Sequence, residues 1–241
     1  MPRVVLDPAS VATISYLHPD NLGTTGIVML VVLAILSLSV HEAAHAWMAW
    51  KRGDSTAKSM GRMTVNPLVH IDPFMTVILP AISLMSFGFL FGGAKPVPVM
   101  TSNLEHPHRD NALVALAGPV SNLLLALMFF GIARALDQFG LYERDQLLFI
   151  LMMAAGVVNV ILAVFNLLPI PPLDGSRIVH WLLPNELRGS YDVLERFGLL
   201  IIVGLFYAVP GFRQLVGETI YQMSDLLLGW VEAFFSVFPS A

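Results

Sequence analysis

Cysteine is absent from this 241-residue sequence, and charged residues are scarce. Without cysteine the chain has neither a disulfide framework nor a thiolate metal site, so any transition-metal site must use His, Asp or Glu. Asp, Glu, Lys and Arg together make up 12% of the residues, against about 25% in soluble domains. This scarcity, with 13 basic against 17 acidic residues, excludes a basic nucleic-acid-binding domain and an ordinary soluble enzyme.

Apolar residues take the place of the missing charges. They make up 56% of the chain, and the mean hydropathy is +0.73. Stretches of about 20 predominantly apolar residues, long enough to cross a bilayer as a helix, recur at 27–50, 74–91, 111–136 and 147–168. Because lipid requires an internally hydrogen-bonded backbone and no barrel-like alternation is visible, we predict an all-α polytopic membrane protein.

The whole chain, 1–241, is expected to form a single membrane-embedded domain. Residues 1–25 lack the unbroken apolar core of a cleavable signal and are interpreted as an interfacial or external arm. Residues 191–241 are interpreted as C-terminal helices. Polar residues recur at helical spacing along 214–238 and predict a stripe that packs against protein. They are Gln214, Glu218, Gln222 and Asp225.

Clusters of basic residues predict the orientation of the helices. They follow the first apolar segment and recur around 95–109 and 177–196, which places all three regions on the cytoplasmic side. If all four apolar segments crossed the membrane, the first and fourth helices would run in opposite directions. The positions of the basic clusters instead require both helices to run from outside to inside. One segment therefore enters and leaves on the same side. Segment 74–109 is the candidate for this re-entrant path, because Pro96 and Pro98 favour an extended return over a helix.

The first apolar segment contains the motif HEAAH at residues 41–45. On a helix, His41 and His45 lie on one face about 6 Å apart, where two imidazoles can bind one zinc ion. Glu42 lies beside that face and can accept a proton from water held by the metal. Since a carboxylate in the membrane interior costs about 2.5–3.5 kcal/mol, a purely structural polar cluster is the weaker interpretation.

Two histidines require a third protein ligand. Asp174 in NLLPIPPLDGSR is the strongest candidate, because three prolines break the fourth helix beside it and Gly175 allows backbone conformations closed to other residues. A re-entrant 74–109 also places Asp174 on the same side as the histidine pair. One alternative is that Asp174 only caps the following helix. The other is a glutamate ligand from a loop, for which the candidates are Glu105, Glu143 and Glu186.

Five motifs between residues 37 and 178 occur in an order typical of one protease family. They are HEAAHAW, GRMTVNPLVHIDP, GGAKPVPV, AGPVSN and NLLPIPPLDG. In these motifs the chain resembles the site-2 protease family of intramembrane zinc metalloproteases, in a compact form without a PDZ or CBS domain. The resemblance implies a transmembrane helix bundle with its catalytic core at 27–178.

The same resemblance implies the activity and the roles of the site residues. His41, His45 and Asp174 are implied as ligands of one Zn²⁺ per chain, and Glu42 as the catalytic base that assists attack by zinc-held water. The implied enzyme is a zinc metalloendopeptidase that cleaves transmembrane segments near the cytoplasmic face, in regulated intramembrane proteolysis. Its expected partners are single-span membrane-protein substrates and the lipid bilayer of a bacterial or archaeal cell membrane, without nucleic acid. The lack of an added domain predicts a regulatory partner or a homo-oligomer.

Four further polar residues are candidates for binding substrate or orienting the metal ligands. Asn66 and His70 could line the entry to the site, although a turn-rich cytoplasmic loop also explains them. Asn122 could hold substrate backbone or join two helices. Asn166 could orient Asp174 or bond backbone carbonyls freed by the prolines.

The extended segment and three glycines give two further structural expectations. An extended edge at 94–99 is expected to pair with unwound substrate by strand addition. Three glycines are expected to allow close backbone approach: Gly92, Gly93 and Gly118.

Two other function classes stay open, an inactive membrane scaffold and a metal transporter. An inactive membrane scaffold would not need Glu42 in lipid. A metal transporter would carry ionisable residues on several spans, whereas the third and fourth apolar segments carry none in their interiors.

Overall fold

The computed structural model describes residues 16–80, 82, 92–140 and 147–237. Regular structure in these ranges is helical and contains no strand, which confirms the prediction of an all-α fold. The α-helices are α1 (Pro19–Lys51), α2 (Thr56–Ser59), α3 (Pro107–Gln138), α4 (Leu147–Asn166), α5 (Asp174–Leu182), α6 (Asn185–Val193), α7 (Gly198–Ala208) and α8 (Pro210–Phe235). Short 3₁₀ or π-helical turns occur at Pro67–Val69, Pro73–Ile78, Thr101–Asn103 and Leu194–Phe197.

Three of these helices are long and apolar enough to cross a membrane. Their most apolar windows have mean hydropathies of 2.3 in α1, 2.1 in α3 and 2.7 in α4. They coincide with the predicted segments 27–50, 111–136 and 147–168. The helical stretches Asn185–Ala208 and Pro210–Phe235 meet at an angle of 97°, and together they count as a fourth span at most.

Helix α1 begins earlier than its apolar segment. Pro19 at its start and Asp20 in its first turn are residues that favour a helix N-terminus. The helix bends at Gly23, whose φ of 60° lies in the left-handed region that glycine tolerates. The end of the expected arm 1–25 is therefore helical from Pro19, and residues 1–15 lie outside the described part.

The chain divides into two compact units, and the first holds the larger apolar core. It comprises the described parts of Met1–Ala34, Asn122–Phe165 and Leu200–Ala241. Its buried core brings together α3, α4 and α8 around the ring of Phe130, which is fully buried. Gly156 of α4 packs against this ring so closely that a Cβ there would lie 2.2 Å from Phe130 Cε1. Small residues let such helices approach closely, which is the usual basis of helix association in membranes.

The second unit comprises the described parts of Ile35–Ser121 and Asn166–Leu199. It contains the C-terminal half of α1, the N-terminal half of α3, and helices α5 and α6. Residues 92–100 cross this unit without helical structure, as the two prolines predict. Much of segment 74–91 lies outside the described residues, and with it the predicted re-entrant path; the part described begins with a π-helical turn at Pro73–Ile78.

The prediction for the polar stripe of the last helix was wrong. Its four residues lie along one face of α8, and Gln214 donates a hydrogen bond to Glu218 at 2.8 Å. This face is exposed rather than packed against protein, because the buried face of α8 is the opposite, mainly apolar one. The buried residues are Val216, Ser224, Leu227 and Val231.

Candidate metal centre

Three potential ligand atoms converge on one point in the second unit. The Nε2 atoms of His41 and His45 are 3.0 Å apart, and Asp174 Oδ2 lies 3.2 Å from the first and 3.3 Å from the second. Both histidines are buried, and Asp174 Oδ2 is buried without a hydrogen-bond partner. Ligands of a tetrahedral zinc ion with bonds of 2.0–2.1 Å lie about 3.3 Å apart, so the three atoms fit this ion. The unpartnered carboxylate oxygen is the atom that a cation would satisfy.

Helix α3 fixes the orientation of the histidine pair. His45 donates a hydrogen bond from Nδ1 to the carbonyl of Val114 at 2.7 Å. A proton on Nδ1 leaves the lone pair of the neutral ring on Nε2, the atom that faces Asp174. Gly118, one turn further along α3, lies against both rings: a Cβ there would be 2.5 Å from His41 Cε1 and from His45 Nε2. The close approach expected at Gly118 is therefore confirmed, and it allows α3 to reach the imidazoles.

A broken segment carries Asp174 to the histidines. Helix α4 ends at Asn166, the cis Pro171–Pro172 peptide follows, and α5 begins at Asp174. Gly175 is tightly enclosed, since a Cβ there would lie 2.2 Å from the carbonyl oxygen of Leu167. The cap residue of α5 is Leu173, and no side chain caps this helix end. The carboxylate of Asp174 therefore faces the imidazoles instead of capping the helix.

Glu42 lies beside the histidine pair and is held by the extended segment. Its side chain is buried, and a carboxylate oxygen lies within 4.8 Å of ligand atoms of both His41 and His45. Oε2 accepts a hydrogen bond from the backbone N–H of Val97 at 2.8 Å. This arrangement leaves the second carboxylate oxygen for a water molecule or a substrate near the point where the three ligand atoms converge.

The other predicted site residues are distributed over both units. Asn66 is exposed and caps its own turn, with Oδ1 accepting from the N–H of Leu68 at 3.1 Å. His70 is buried and its Nε2 contacts the carbonyl of Thr64 at 2.8 Å. In the first unit, Asn122 is fully buried and donates to Asn159 Oδ1 at 2.9 Å, a bond between helices α3 and α4.

Neither Glu105 nor Glu186 joins the ligand set described above, and Asn166, predicted to orient Asp174 or to bond freed carbonyls, lies where α4 ends. Asn166 is half-buried at the last residue of α4. Glu105 and Glu186 are exposed, and Glu143 lies outside the described residues. Among the described residues outside the HEAAH motif, the acid whose carboxylate lies against both imidazoles is Asp174.

Two residues that support the site were missed by the sequence analysis. Asp54 is fully buried after α1, where Oδ2 accepts from the N–H of Met100 and Oδ1 from Thr56 and Asn103. Burial raises the pKa of Asp54, but hydrogen bonds from Thr56, Asn103 and Met100 outweigh it and hold this pKa below its usual value. The spacing of Asp54 and Thr56 signals a local turn, whereas the contact with Met100 has no local signal.

Arg62 is the second missed residue, and it is buried with its charge. Its Nη1 donates to the carbonyl of Val69 at 2.8 Å and approaches that of Lys95 at 3.5 Å. It thereby fastens the extended segment 92–100 to the loop that holds His70. Asp54 at one end and Arg62 at the other keep this segment against α1, where Val97 meets Glu42.

Comparison with known proteins adds independent findings. The sequence model of peptidase family M50 matches residues 142–206, which include Asp174. YwhC of Bacillus subtilis, classed by its name among zinc metalloproteases, is 38% identical over 189 residues, 76% of this chain and 81% of that protein. Rip2 of Mycolicibacterium smegmatis, named in the same way, is 32% identical over 206 residues, 85% of this chain and 76% of that protein. No solved structure matches the chain.

The family of these relatives agrees with two features of this chain: its apolar composition and its group of potential metal ligands. Identity of 38% over most of both chains shows common family membership. Zinc is the cofactor that the relatives' class implies, and the His-Glu-His group of α1 is close enough to bind a metal. The chain therefore belongs to peptidase family M50, the site-2 proteases, and is a membrane-embedded zinc metalloprotease with protein substrates.

Proposed function

We propose that the protein is an intramembrane endopeptidase that cleaves transmembrane segments of single-span membrane proteins. In this proposal His41, His45 and Asp174 hold one Zn²⁺ and Glu42 is the catalytic base. The observation that carries it is the convergence of three ligand atoms within 3.3 Å of one another, two of them on the membrane-spanning helix α1 and the third at the start of α5. The buried Oδ2 of Asp174, which has no hydrogen-bond partner, supports the assignment of the third ligand.

The aromatic residues at the end of α1 indicate the depth of the site. Trp47 and Trp50 are exposed, and Lys58 Nζ lies 4.0 Å from the ring centroid of Trp50. Tryptophan and lysine at a helix end are typical of the membrane–water interface. His45 precedes these rings by two to five residues, or about 3–8 Å along the helix at 1.5 Å per residue. The site thus lies just inside the apolar layer, and the basic residues that follow α1 favour the cytoplasmic side.

Peptide hydrolysis requires the residues of this chain to transfer one proton and to hold the peptide backbone that is cleaved. Bound Zn²⁺ supplies Lewis acidity, which lowers the pKa of water to about 7 and polarises the carbonyl. Glu42 takes a proton from the attacking water as the new C–O bond forms. It then delivers that proton to the amide nitrogen as the C–N bond breaks, which yields a carboxylic acid and an amine. The N–H of Val97 holds the carboxylate of Glu42 in place for both transfers.

The extended segment has one edge bonded to the protein and one edge left for substrate. Gly93, Lys95 and Val97 donate their N–H groups to Met75, His70 and Glu42. Residues two apart in an extended chain face the same side, so Ala94, Pro96 and Pro98 face the other way. The prolines have no N–H, and this edge therefore offers mainly carbonyl acceptors. It suits an unwound substrate whose N–H groups have lost their helical partners.

Zinc content and cleavage of a model single-span substrate test the proposal together. We expect wild-type protein in liposomes to hold about one zinc ion per chain and to cleave the substrate. Glu42→Gln should retain zinc and lose cleavage, whereas Asp174→Ala should lose zinc. Cleavage by Glu42→Gln at the wild-type rate, or full zinc content in Asp174→Ala, would refute the assigned roles and favour a scaffold or a transporter.

Binding of substrate along the free edge of the extended segment 92–100 can be tested separately from the zinc ligands. Lys95→Pro, which removes the N–H that fastens the segment to His70, or deletion of 94–99, should lower cleavage while zinc content stays unchanged, because these changes disturb the strand and not the ligands. Full activity of these variants would exclude strand addition as the mode of substrate binding.

A further inference from the structure

The loop that carries Asp174 has few backbone donors with which to hold itself. It comprises residues 167–173, between the end of α4 and the start of α5, and three of these residues are prolines, which have no N–H. Bonds within the loop run from the N–H of Ile170 to Leu168 and from the N–H of Leu173 to Ile170. Contacts from outside the loop therefore contribute to the position of Asp174.

The first outside contact comes from α6. Tyr191, half-buried near the end of that helix, donates a hydrogen bond from its hydroxyl group to the carbonyl of Pro169 at 3.0 Å. This bond joins residues 22 positions apart and holds a carbonyl group five residues before Asp174. Without the hydroxyl group, that carbonyl loses its protein donor and the loop loses a connection to α6.

The second outside contact is made by Gly198, which is buried at the start of α7. A Cβ at this position would overlap the carbonyl oxygen of Pro171 and lie 2.7 Å from Pro172 Cδ. The φ of Gly198 is −53°, a value open to every residue type. The glycine is therefore needed for the close approach to the loop and not for its own backbone conformation.

Polar contacts fasten α6 and the turn that follows it to α5. Arg188 donates from Nε to the carbonyls of His180 and Leu183, each at 3.1 Å, and so satisfies the C-terminal end of α5. Arg177 of α5 pairs with Glu195 at 3.0 Å. Because the side chains of this pair are 43% and 48% exposed, it contributes little free energy, and the bonds of Arg188 are the stronger connection.

We propose that α6 and the start of α7 form a clamp on the loop 167–173, and that Tyr191 and Gly198 are positioning residues for Asp174. The inference rests on the proposed role of Asp174 as a zinc ligand and adds the elements that aim its carboxylate. Oδ2 of Asp174 lies 3.2 and 3.3 Å from the two imidazole nitrogens, so a small shift of the loop moves it out of bonding distance of a shared ion. The clamp keeps the loop in the arrangement that binds zinc, and its contacts therefore add to the zinc affinity.

Removal of one hydroxyl group tests the first contact of the clamp. Zinc affinity of the full-length protein in detergent is measured by competition with a chelator of known affinity. Partners that orient metal ligands contribute about tenfold to hundredfold to affinity; Tyr191 acts through the loop, so we expect the zinc dissociation constant of Tyr191→Phe to rise about tenfold. Tyr207→Phe is the matched control, since Tyr207 is 69% exposed, and it should bind zinc as the wild type does. Wild-type affinity in Tyr191→Phe would overturn the proposal.

Two glycines of α7 provide a matched pair for the second contact. Gly198→Ala forces a Cβ against the loop and should weaken zinc binding at least about tenfold. Gly204→Ala adds the same methyl group where nothing lies within 4 Å of the Cβ, and it should bind zinc normally. Equal zinc affinities of these two variants would refute the positioning role of Gly198.

Melting of the metal-free protein separates positioning from general stability. The titrations are made at a temperature at which each metal-free variant is fully folded by circular dichroism. We expect the zinc affinity of Tyr191→Phe to be lowered under this condition, because the loop moves within a folded protein. A lowered melting temperature together with wild-type zinc affinity of the folded variant would show a structural role only and would overturn the proposal.

Asp174→Ala in the same titration separates failure of the clamp from failure of the ligand assignment. Weak zinc binding by Asp174→Ala, with wild-type affinity in both Tyr191→Phe and Gly198→Ala, refutes the clamp alone. Wild-type zinc affinity in Asp174→Ala refutes the ligand role of this residue, and with it the metal site of the proposed function.

Discussion

One methyl group added at Gly118 is predicted to disrupt the metal centre. The new Cβ would lie 2.5 Å from His41 Cε1 and from His45 Nε2. Since non-bonded carbon atoms pack best at about 3.5–4.0 Å, α3 and the imidazoles must separate by about 1 Å. A displacement of about 1 Å in a catalytic site costs about 100-fold in rate, or about 2.7 kcal/mol at 1.36 kcal/mol per tenfold.

The assay compares Gly118→Ala with Gly131→Ala in the same helix. Nothing lies within 4 Å of a Cβ at Gly131, so this control has the helix propensity of alanine without the clash. We expect Gly131→Ala to keep zinc and activity, and Gly118→Ala to lose zinc or at least about 100-fold in kcat/KM. Zinc stoichiometry and kcat/KM at wild-type levels in Gly118→Ala would refute the argument that this glycine is required for the ligand geometry.

Three further predictions concern the supports of the site and the core. Val97→Pro removes the N–H that holds Glu42 and should lower kcat with zinc retained, whereas Val97→Ala keeps the N–H and should stay active; equal kcat values would contradict this. Asp54→Asn should lower thermal stability at pH 7 by about 1–3 kcal/mol. Because the pKa of Asp54 is depressed, its contribution is present above about pH 4 and is lost as pH falls through the folded-state value; the difference between variant and wild type in a melting series should therefore shrink below pH 4. Gly156→Ala forces a Cβ against Phe130 and should destabilise the protein by about 1–3 kcal/mol in a denaturation assay; unchanged stability would show that α4 can move.

The helical fold and the convergence of the three candidate ligands could be predicted because their signals are local. Hydropathy alone located α1, α3 and α4, since lipid leaves helices as the way to satisfy the backbone. The spacing of His41 and His45 placed both imidazoles on one face, and the prolines before Asp174 marked a break that could aim its carboxylate. The structure brings these three residues together as the hypothesis requires.

Close approach of the backbone was only partly predictable. A Cβ at Gly92 would lie 2.3 Å from Pro80 Cγ, and Gly118 is equally confined, as expected. At Gly93 nothing lies within 4 Å, so the same expectation was wrong there. A glycine in a sequence shows where close approach is allowed, but the packing of distant segments decides where it occurs.

Long-range partners of buried polar groups had no local signal. Asp54 meets Met100 across 46 positions, Glu42 meets Val97 across 55, and His45 meets Val114 across 69. In two of these three pairs the partner is a backbone N–H and in the third a backbone carbonyl, groups that every residue type except proline provides alike. The identity of Met100, Val97 or Val114 therefore carries no information about the bond, which only the fold reveals.

These backbone partners explain how α1 tolerates ionisable residues in its apolar sequence. A charged group in the membrane interior costs about 2.5–3.5 kcal/mol unless it is paired or hydrogen-bonded. Glu42 receives an N–H from the extended segment and His45 is held by a carbonyl of α3, so two elements outside α1 offset the cost. Asp174 Oδ2 has no such backbone partner, and its burial beside two imidazoles calls for positive charge, which a cation at the point where they meet would supply. Zinc binding and the stability of the second unit are therefore coupled: chelation should lower the melting temperature of the wild type, and Asp174→Asn, which removes the buried charge, should lessen that effect. Equal melting temperatures of the wild type with and without chelator would contradict this coupling.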